Sequence, residues 1–155
     1  GAQNLLVPMA DTAEQAADAV RAVRYPPEGV RGVGSALARA SRWNAVPAYL
    51  SRAAGLVSLT VQIESAAAVE QAAAIAGVDG VDALFVGPAD LAASMGLLGQ
   101  QGHPEVVATI EAAVARIVRA ATLSVKERDY VSASRGSPVS CDSRSTPKCT
   151  RAISW

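Results

Sequence analysis

Apolar positions along the first 121 residues switch repeatedly between short continuous runs and helical spacing, and that switching predicts a series of strand–helix units. Asn4-Leu5-Leu6-Val7-Pro8-Met9 is a short apolar run closed by proline, the pattern of a buried parallel strand. Asp11-Thr12-Ala13-Glu14 follows, with Asp11 as expected N-cap and Glu14 three residues on. Ala13, Ala16, Ala17, Val20 and Val23 then recur at helical spacing up to Pro26-Pro27. A second run, Leu56–Ile63, leads through Glu64 and the capping residue Ser65 into a predicted helix over Ala66–Ala76, with Gly77 at its end. The third run, Ala83–Val86, passes through Gly87-Pro88 into a short helix over Ala89–Met95. Pro104 opens a longer amphipathic helix, with Val106, Ile110, Ala113, Val114, Ile117 and Ala121 on one face. Units of this kind in series predict an α/β fold around a parallel sheet.

Two stretches depart from the pattern. Residues 25–56 form a long excursion holding Arg31-Gly32-Val33-Gly34-Ser35 and Arg39-Ala40-Ser41-Arg42-Trp43-Asn44, with a short helix expected from Val46 to Ala54 before Gly55. The paired glycines suit a structural turn, and they also suit a cradle of exposed amides for an anion. From Thr122 to Trp155 neither helical period nor alternation persists, and Ser, Arg, Pro and Gly dominate, so residues 122–155 read as an irregular or disordered tail behind a domain spanning 1–121.

Charge sharpens that division. The formal net charge is zero, which argues against nucleic-acid binding or membrane-surface attachment through bulk charge. Residues 1–121 carry 8 Lys+Arg against 11 Asp+Glu, whereas residues 122–155 carry 6 against 3 together with both lysines, both cysteines and 8 serines. Cys141 and Cys149 lie eight apart with no histidine near them, a poor pattern for a metal site. No apolar run is long enough to span a bilayer, so the default expectation is a cytoplasmic protein with a core of Ala, Val, Leu and Ile.

The chemistry gathers where strands end. Glu64 and Asp90 each follow a predicted strand and precede a helix, on the edge of a parallel sheet where ligands bind. Two carboxylates on consecutive strands make an oxygen site for a hard divalent cation; taken singly, each also suits a helix's first turn or a solvated rim. Alternation puts Gln62 on the same face as Glu64, where it can serve the site or be an inward polar residue satisfied by backbone.

Val61-Gln62-Ile63-Glu64 and Phe85-Val86-Gly87-Pro88-Ala89-Asp90-Leu91 resemble the metal-dependent pyruvate aldolases of the HpcH/HpaI aldolase and citrate lyase family, of the 4-hydroxy-2-oxoheptanedioate and 2-keto-3-deoxy sugar-acid type. The stretch from Gly1 to Met9 and the loop from Gly32 to Asn44 resemble that group too, so the similarity covers residues 1–121 in order. It implies strands four to six of a (β/α)₈ barrel that assembles as a hexamer, a closed barrel needing about 250 residues. The implied reaction is reversible aldol cleavage of a 4-hydroxy-2-oxo acid to pyruvate and an aldehyde, through an enolate stabilised by Mg²⁺ or Mn²⁺. Carried over by position, Glu64 and Asp90 are the implied metal ligands, Gln62 meets the oxo-acid, and the Ala89 amide with Asp90 holds its carboxylate. The family's general base and its supporting residues match nothing here. His103, the one histidine, precedes Pro104 as a helix-start residue would. The expectation is therefore a metal and oxo-acid half-site that is inactive alone, with a truncated non-catalytic fragment or a small open α/β ligand-binding module as the alternatives.

Overall fold

The computed structural model describes residues 1–34, 37–134 and 151–154. Four strands, β1 (Asn4–Val7), β2 (Ser58–Ile63), β3 (Ala83–Val86) and β4 (Arg151–Ser154), pair in parallel in that order. Register runs straight across: Leu6 lies beside Thr60, Thr60 beside Ala83, and Gln62 beside Phe85. Helices α1 (Ala13–Val23), α3 (Ala66–Ala76) and α5 (Pro104–Ser134) bury their apolar stripes on one face of this sheet. The short α2 (Tyr49–Arg52) belongs to the excursion, and α4 (Pro88–Ser94) follows β3.

The core is the seam between that sheet face and the helices. Leu59, Val61 and Ile63 of β2 and Leu84 and Val86 of β3 meet Ala16 and Val20 of α1, Ala68, Ala72 and Ile75 of α3, and Ala113 and Ile117 of α5. Alanines on the inner face of α3 let it approach closely, and each fully buried Leu, Ile or Val contributes about 1.5–3 kcal/mol. Arg116 reaches from α5 to the Val69 carbonyl (2.8 Å) and the Glu70 carboxylate (2.9 Å). Both side chains are well exposed, so the ion pair itself adds at most about 1 kcal/mol.

The opposite sheet face is open. Burial alternates along β1, β2 and β3, and Leu6 on the uncovered side is 52% exposed. The run Leu5-Leu6-Val7 predicts a strand buried on both sides, and the structure covers one. Among the described residues no helix is long and apolar enough to cross a membrane.

Beyond small shifts at the start of β2, Ser58 rather than Leu56, and at both ends of α4, Pro88–Ser94 rather than Ala89–Met95, three boundaries differ from those predicted. Thr12, not Asp11, caps α1: its hydroxyl accepts from Gln15 N, and the Gln15 side chain reaches back to accept from Asp11 N, one residue before the cap. Asp11 is drawn away because its carboxylate accepts from Ser65 Oγ across the sheet edge. The first-turn backbone and then the Thr12 hydroxyl hold the exposed Glu14 carboxyl below its usual range. In the excursion, the helix predicted over Val46–Ala54 is reduced to α2 and a 3-10 turn at Ala53–Gly55.

The third difference is at the tail. Residues 122–134, expected to be irregular, continue α5 to Ser134, and Arg151–Ser154 adds the strand β4 beside β3. Thr122–Ser134 loses its apolar stripe but contains no glycine or proline, so backbone hydrogen bonding continues through it. Cys141, Cys149 and the rest of 135–150 lie outside the described residues, as do Ser35, Ala36 and Trp155.

Candidate active site at the carboxyl rim

Each of the first three strands hands the chain to a helix through a short turn carrying one carboxylate: Asp11 after β1, Glu64 after β2 and Asp90 after β3. All three stand at the carboxyl edge of the sheet. Their surroundings differ sharply.

Glu64 is 5% exposed, and two donors fix its carboxylate. Gln62 Nε2 donates to Oε1 at 2.7 Å, and the Met9 backbone N–H donates to Oε2 at 3.0 Å. Met9 adopts φ 57°, a left-handed conformation that costs a non-glycine residue of order 1 kcal/mol. That conformation turns its amide toward Glu64. On the far side stands Gly87, where a Cβ would come within 2.6 Å of Oε1 and 2.9 Å of Cγ. So β1's last turn, β2's own face and the end of β3 enclose this one group.

A buried carboxylate ordinarily requires a cationic partner or strong donors. Among the described residues Glu64 makes no ion pair; its two partners are neutral donors, one to each oxygen. Each oxygen keeps a second lone pair free for a cation.

Asp90 sits in the first turn of α4 and is exposed. Gly87 is the N-cap and Pro88 has no N–H, so Leu91 N, bonded to Gly87 O at 3.1 Å, is the first amide satisfied within α4. The Ala89 and Asp90 amides therefore belong to the unpaired first turn. Among the described residues no three His, Cys, Asp or Glu converge as a metal cluster, so the donors those residues offer at this edge are the carboxylates taken singly or in pairs.

Gln62 shares a face with Glu64 as alternation predicted, and its Nε2 donates to that carboxylate. The Asp11–Ser65 contact was not legible, because it joins residues 54 apart with no motif between them. Ser65 also accepts from Ala68 N (3.0 Å), so one hydroxyl caps α3 and ties the β1–α1 turn to it. Ser65→Ala is expected to cost about 1–2 kcal/mol in urea unfolding, the range for losing a helix cap.

Other candidates are engaged locally. His103 Nδ1 accepts from Glu105 N at 3.3 Å, a capping role at the start of α5. Gly34 has φ +37°, a conformation that suits glycine, and its carbonyl accepts from Leu37 N at 3.0 Å.

A sequence model of the HpcH/HpaI aldolase/citrate lyase family matches residues 1–133, past the Ala121 limit read from motifs alone. The hydroxypyruvate/pyruvate aldolase of Pseudomonas aeruginosa is 62% identical over 117 residues, which are 76% of this chain and 44% of that protein. The 4-hydroxy-2-oxo-heptane-1,7-dioate aldolase of Salmonella paratyphi B is 56% identical over 117 residues, again 76% of this chain and 44% of the relative. The chain thus spans less than half the length of these relatives. Among solved structures, an HpcH/HpaI aldolase/citrate lyase family protein from Burkholderia cenocepacia J2315 superposes with TM-score 0.69 at 36% identity, covering 99% of this chain and 59% of that one. A match that takes in every element from β1 through α5 leaves one conclusion: the chain belongs to the HpcH/HpaI aldolase/citrate lyase family.

Proposed function

We propose that the chain is part of a (β/α)₈ barrel and carries the metal and oxo-acid half of a divalent-metal-dependent aldolase site. The parent reaction is reversible aldol cleavage of a 4-hydroxy-2-oxo acid to pyruvate and an aldehyde. What carries the reading is Glu64: a carboxylate nearly removed from water, pinned by neutral donors and without an ion pair among the described residues, on the same sheet edge as Asp90. The open sheet face supports the barrel, because apolar strand residues such as Leu6 need cover from further strands.

Glu64 and Asp90 would hold Mg²⁺ or Mn²⁺, both of which take carboxylate oxygens. When bound, the cation supplies Lewis acidity next to the oxo group and so favours loss of a neighbouring proton. The residues of this chain do the positioning. Gln62 and the Met9 amide fix the Glu64 oxygens, and Gln62 sits where it can also meet the oxo-acid. The Ala89 and Asp90 amides, free in the first turn of α4, suit the substrate carboxylate. His103 Nδ1 accepts from Glu105 N at the start of α5, and in this reading proton transfer is assigned to groups of the full-length enzyme. A hexamer is the assembly proposed for the full-length enzyme.

A pyruvate-release assay with added Mn²⁺ tests the reading. In a full-length aldolase carrying this segment, Glu64→Ala and Asp90→Ala should each lower metal-dependent turnover by on the order of 100-fold or more, beyond what outer-shell substitutions cost. Unchanged turnover in both variants would refute the assignment. The 155-residue chain alone should release pyruvate no faster than buffer; robust turnover would show that it holds its own base.

A further inference from the structure

The two rim carboxylates stand on separate segments, so their separation depends on how those segments are fastened to each other. Glu64 lies in the turn between β2 and α3, and Asp90 lies on α4. Two hydrogen bonds join that turn to that helix. At the start of α4, Gly87 N donates to Ile63 O at 3.0 Å. At its end, Ala66 N donates to Ser94 Oγ at 3.1 Å, a contact between residues 28 apart in sequence. Glu64 therefore sits between the two anchor points on one segment, Ile63 and Ala66, and Asp90 between the two on the other, Gly87 and Ser94. At 1.5 Å per residue the anchors on α4 are about 10 Å apart. A short helix held at one end can still tilt and turn, and the second anchor stops it.

Both sides of that second anchor are themselves fixed. Ser94 Oγ gives its own proton to Leu91 O at 2.7 Å, which leaves its lone pairs for the Ala66 N–H. Just beyond it the helix closes: Leu97 N bonds Ala92 O at 2.8 Å and Gly96 N bonds Ala93 O at 3.0 Å, with Gly96 at φ +77°, the left-handed conformation this closure needs. On the other side, Ala66 is the first residue of α3, and its N–H is one of the first-turn donors that a helix cannot satisfy internally. The N-cap hydroxyl of Ser65 does not serve it, since that hydroxyl accepts from Ala68 N and donates to the Asp11 carboxylate. The turn carrying Glu64 is thus braced from the β1 side by Asp11 and from α4 by Ser94. Ser94 also follows Asp90 by four residues, about one helical turn, so both lie on one face of α4.

We propose that Ser94 is a positioning residue: by tying the end of α4 to the Ala66 amide it sets how the Asp90 carboxylate faces Glu64, and through that the affinity of the pair for a divalent cation. The role rests on the metal reading of the rim. Ser94 acts through Asp90 and not as a ligand.

The test is calorimetric titration of Mn²⁺ into the 155-residue chain and its variants. Ser94→Ala should weaken binding by on the order of tenfold, the lower end of what groups that orient a metal ligand contribute. Ser94→Thr, which keeps the hydroxyl, should restore the parent affinity. Thr12→Ala removes the hydroxyl cap of α1 and should lower Tm at least as much as Ser94→Ala while leaving the affinity alone, which separates positioning from lost stability. In an Asp90→Asn background Ser94→Ala should weaken binding no further, because the group it positions has already lost its charge. Without metal, the Ala66 N–H of Ser94→Ala should exchange with deuterium faster, while the Ala68 N–H, held by Ser65, keeps its rate. An Mn²⁺ affinity within about twofold of the parent in Ser94→Ala, with Glu64→Gln and Asp90→Asn still weakening it, overturns the positioning role and leaves the metal reading intact. Losses that simply add in the Ser94→Ala/Asp90→Asn variant do the same. Affinity unmoved in all of these variants removes the metal site and this role together.

Discussion

Glu64→Gln is expected to weaken Mn²⁺ binding by on the order of 100-fold, about 2.8 kcal/mol, while leaving the fold intact. The substitution keeps shape and removes charge, and the neighbourhood can adapt to it. Two donors face the carboxylate in the parent, Gln62 Nε2 and Met9 N. The Met9 amide is fixed by backbone and will claim the new carbonyl oxygen. Gln62 can turn its amide through half a rotation and present its own oxygen to the new NH₂, so both partners stay satisfied. Stability should therefore change by less than about 1 kcal/mol, the worth of one neutral hydrogen bond. Asp90→Asn, at an exposed position, should lower affinity comparably with a stability change within about 0.5 kcal/mol. Glu105→Gln, another exposed acid in a helix's first turn, is the control that should do nothing. Calorimetric affinities within twofold of the parent for both Glu64→Gln and Asp90→Asn would remove the metal site.

What the sequence shows of this arrangement follows from how local each signal is. Strand β3 and helix α3 are legible to the residue, because Ala83–Val86 is a bounded apolar run and Ser65 and Gly77 punctuate the Ala66–Ala76 helix. Gln62 and Glu64 share a face by the period of two alone. Anything depending on a partner distant in sequence is hidden. The cap of α1 moves to Thr12 because Asp11 is engaged by Ser65, and no window around Asp11 contains that fact. The left-handed turn at Met9, which sends an amide to Glu64, has no glycine or asparagine to announce it. Strand β4 is four residues, Arg-Ala-Ile-Ser, too short for a period to rise above its Ser- and Arg-rich surroundings, and pairing with β3 defines it. The open sheet face is the reverse case: apolar residues on both sides of β1 predict two covers, and the described chain supplies one.

Gly87→Ala should be the most damaging single-methyl change at the rim. Glycine here is not required by the backbone, since φ is −91°, a value any residue adopts. It is required by Glu64: the new Cβ would lie 2.6 Å from Oε1, 2.9 Å from Cγ and 3.2 Å from Cδ. Nor can the backbone retreat easily. Gly87 N donates to Ile63 O at 3.0 Å, and Gly87 O accepts from Leu91 N at 3.1 Å, so the residue ends the β2–β3 ladder and starts α4 at once. Glu64 must yield instead, and in yielding it gives up at least one of its two donors inside a nearly dry pocket. Overpacking costs about 1–3 kcal/mol and a buried polar group left unpaired about 1–3 kcal/mol more. A net loss of about 2–4 kcal/mol corresponds to a fall in Tm of about 5–15 °C for a chain of this size. Mn²⁺ affinity should fall with it, because the displaced carboxylate is the proposed ligand. Gly55→Ala, where an added Cβ meets nothing within 4 Å, should leave Tm nearly unchanged. The decisive measurement is the double-mutant cycle with Glu64→Ala: once the carboxylate is gone the extra methyl has room, so Gly87→Ala should cost little in that background. Penalties that instead add to within about 0.5 kcal/mol would mean the two residues act independently, and the steric account of Gly87 would be wrong.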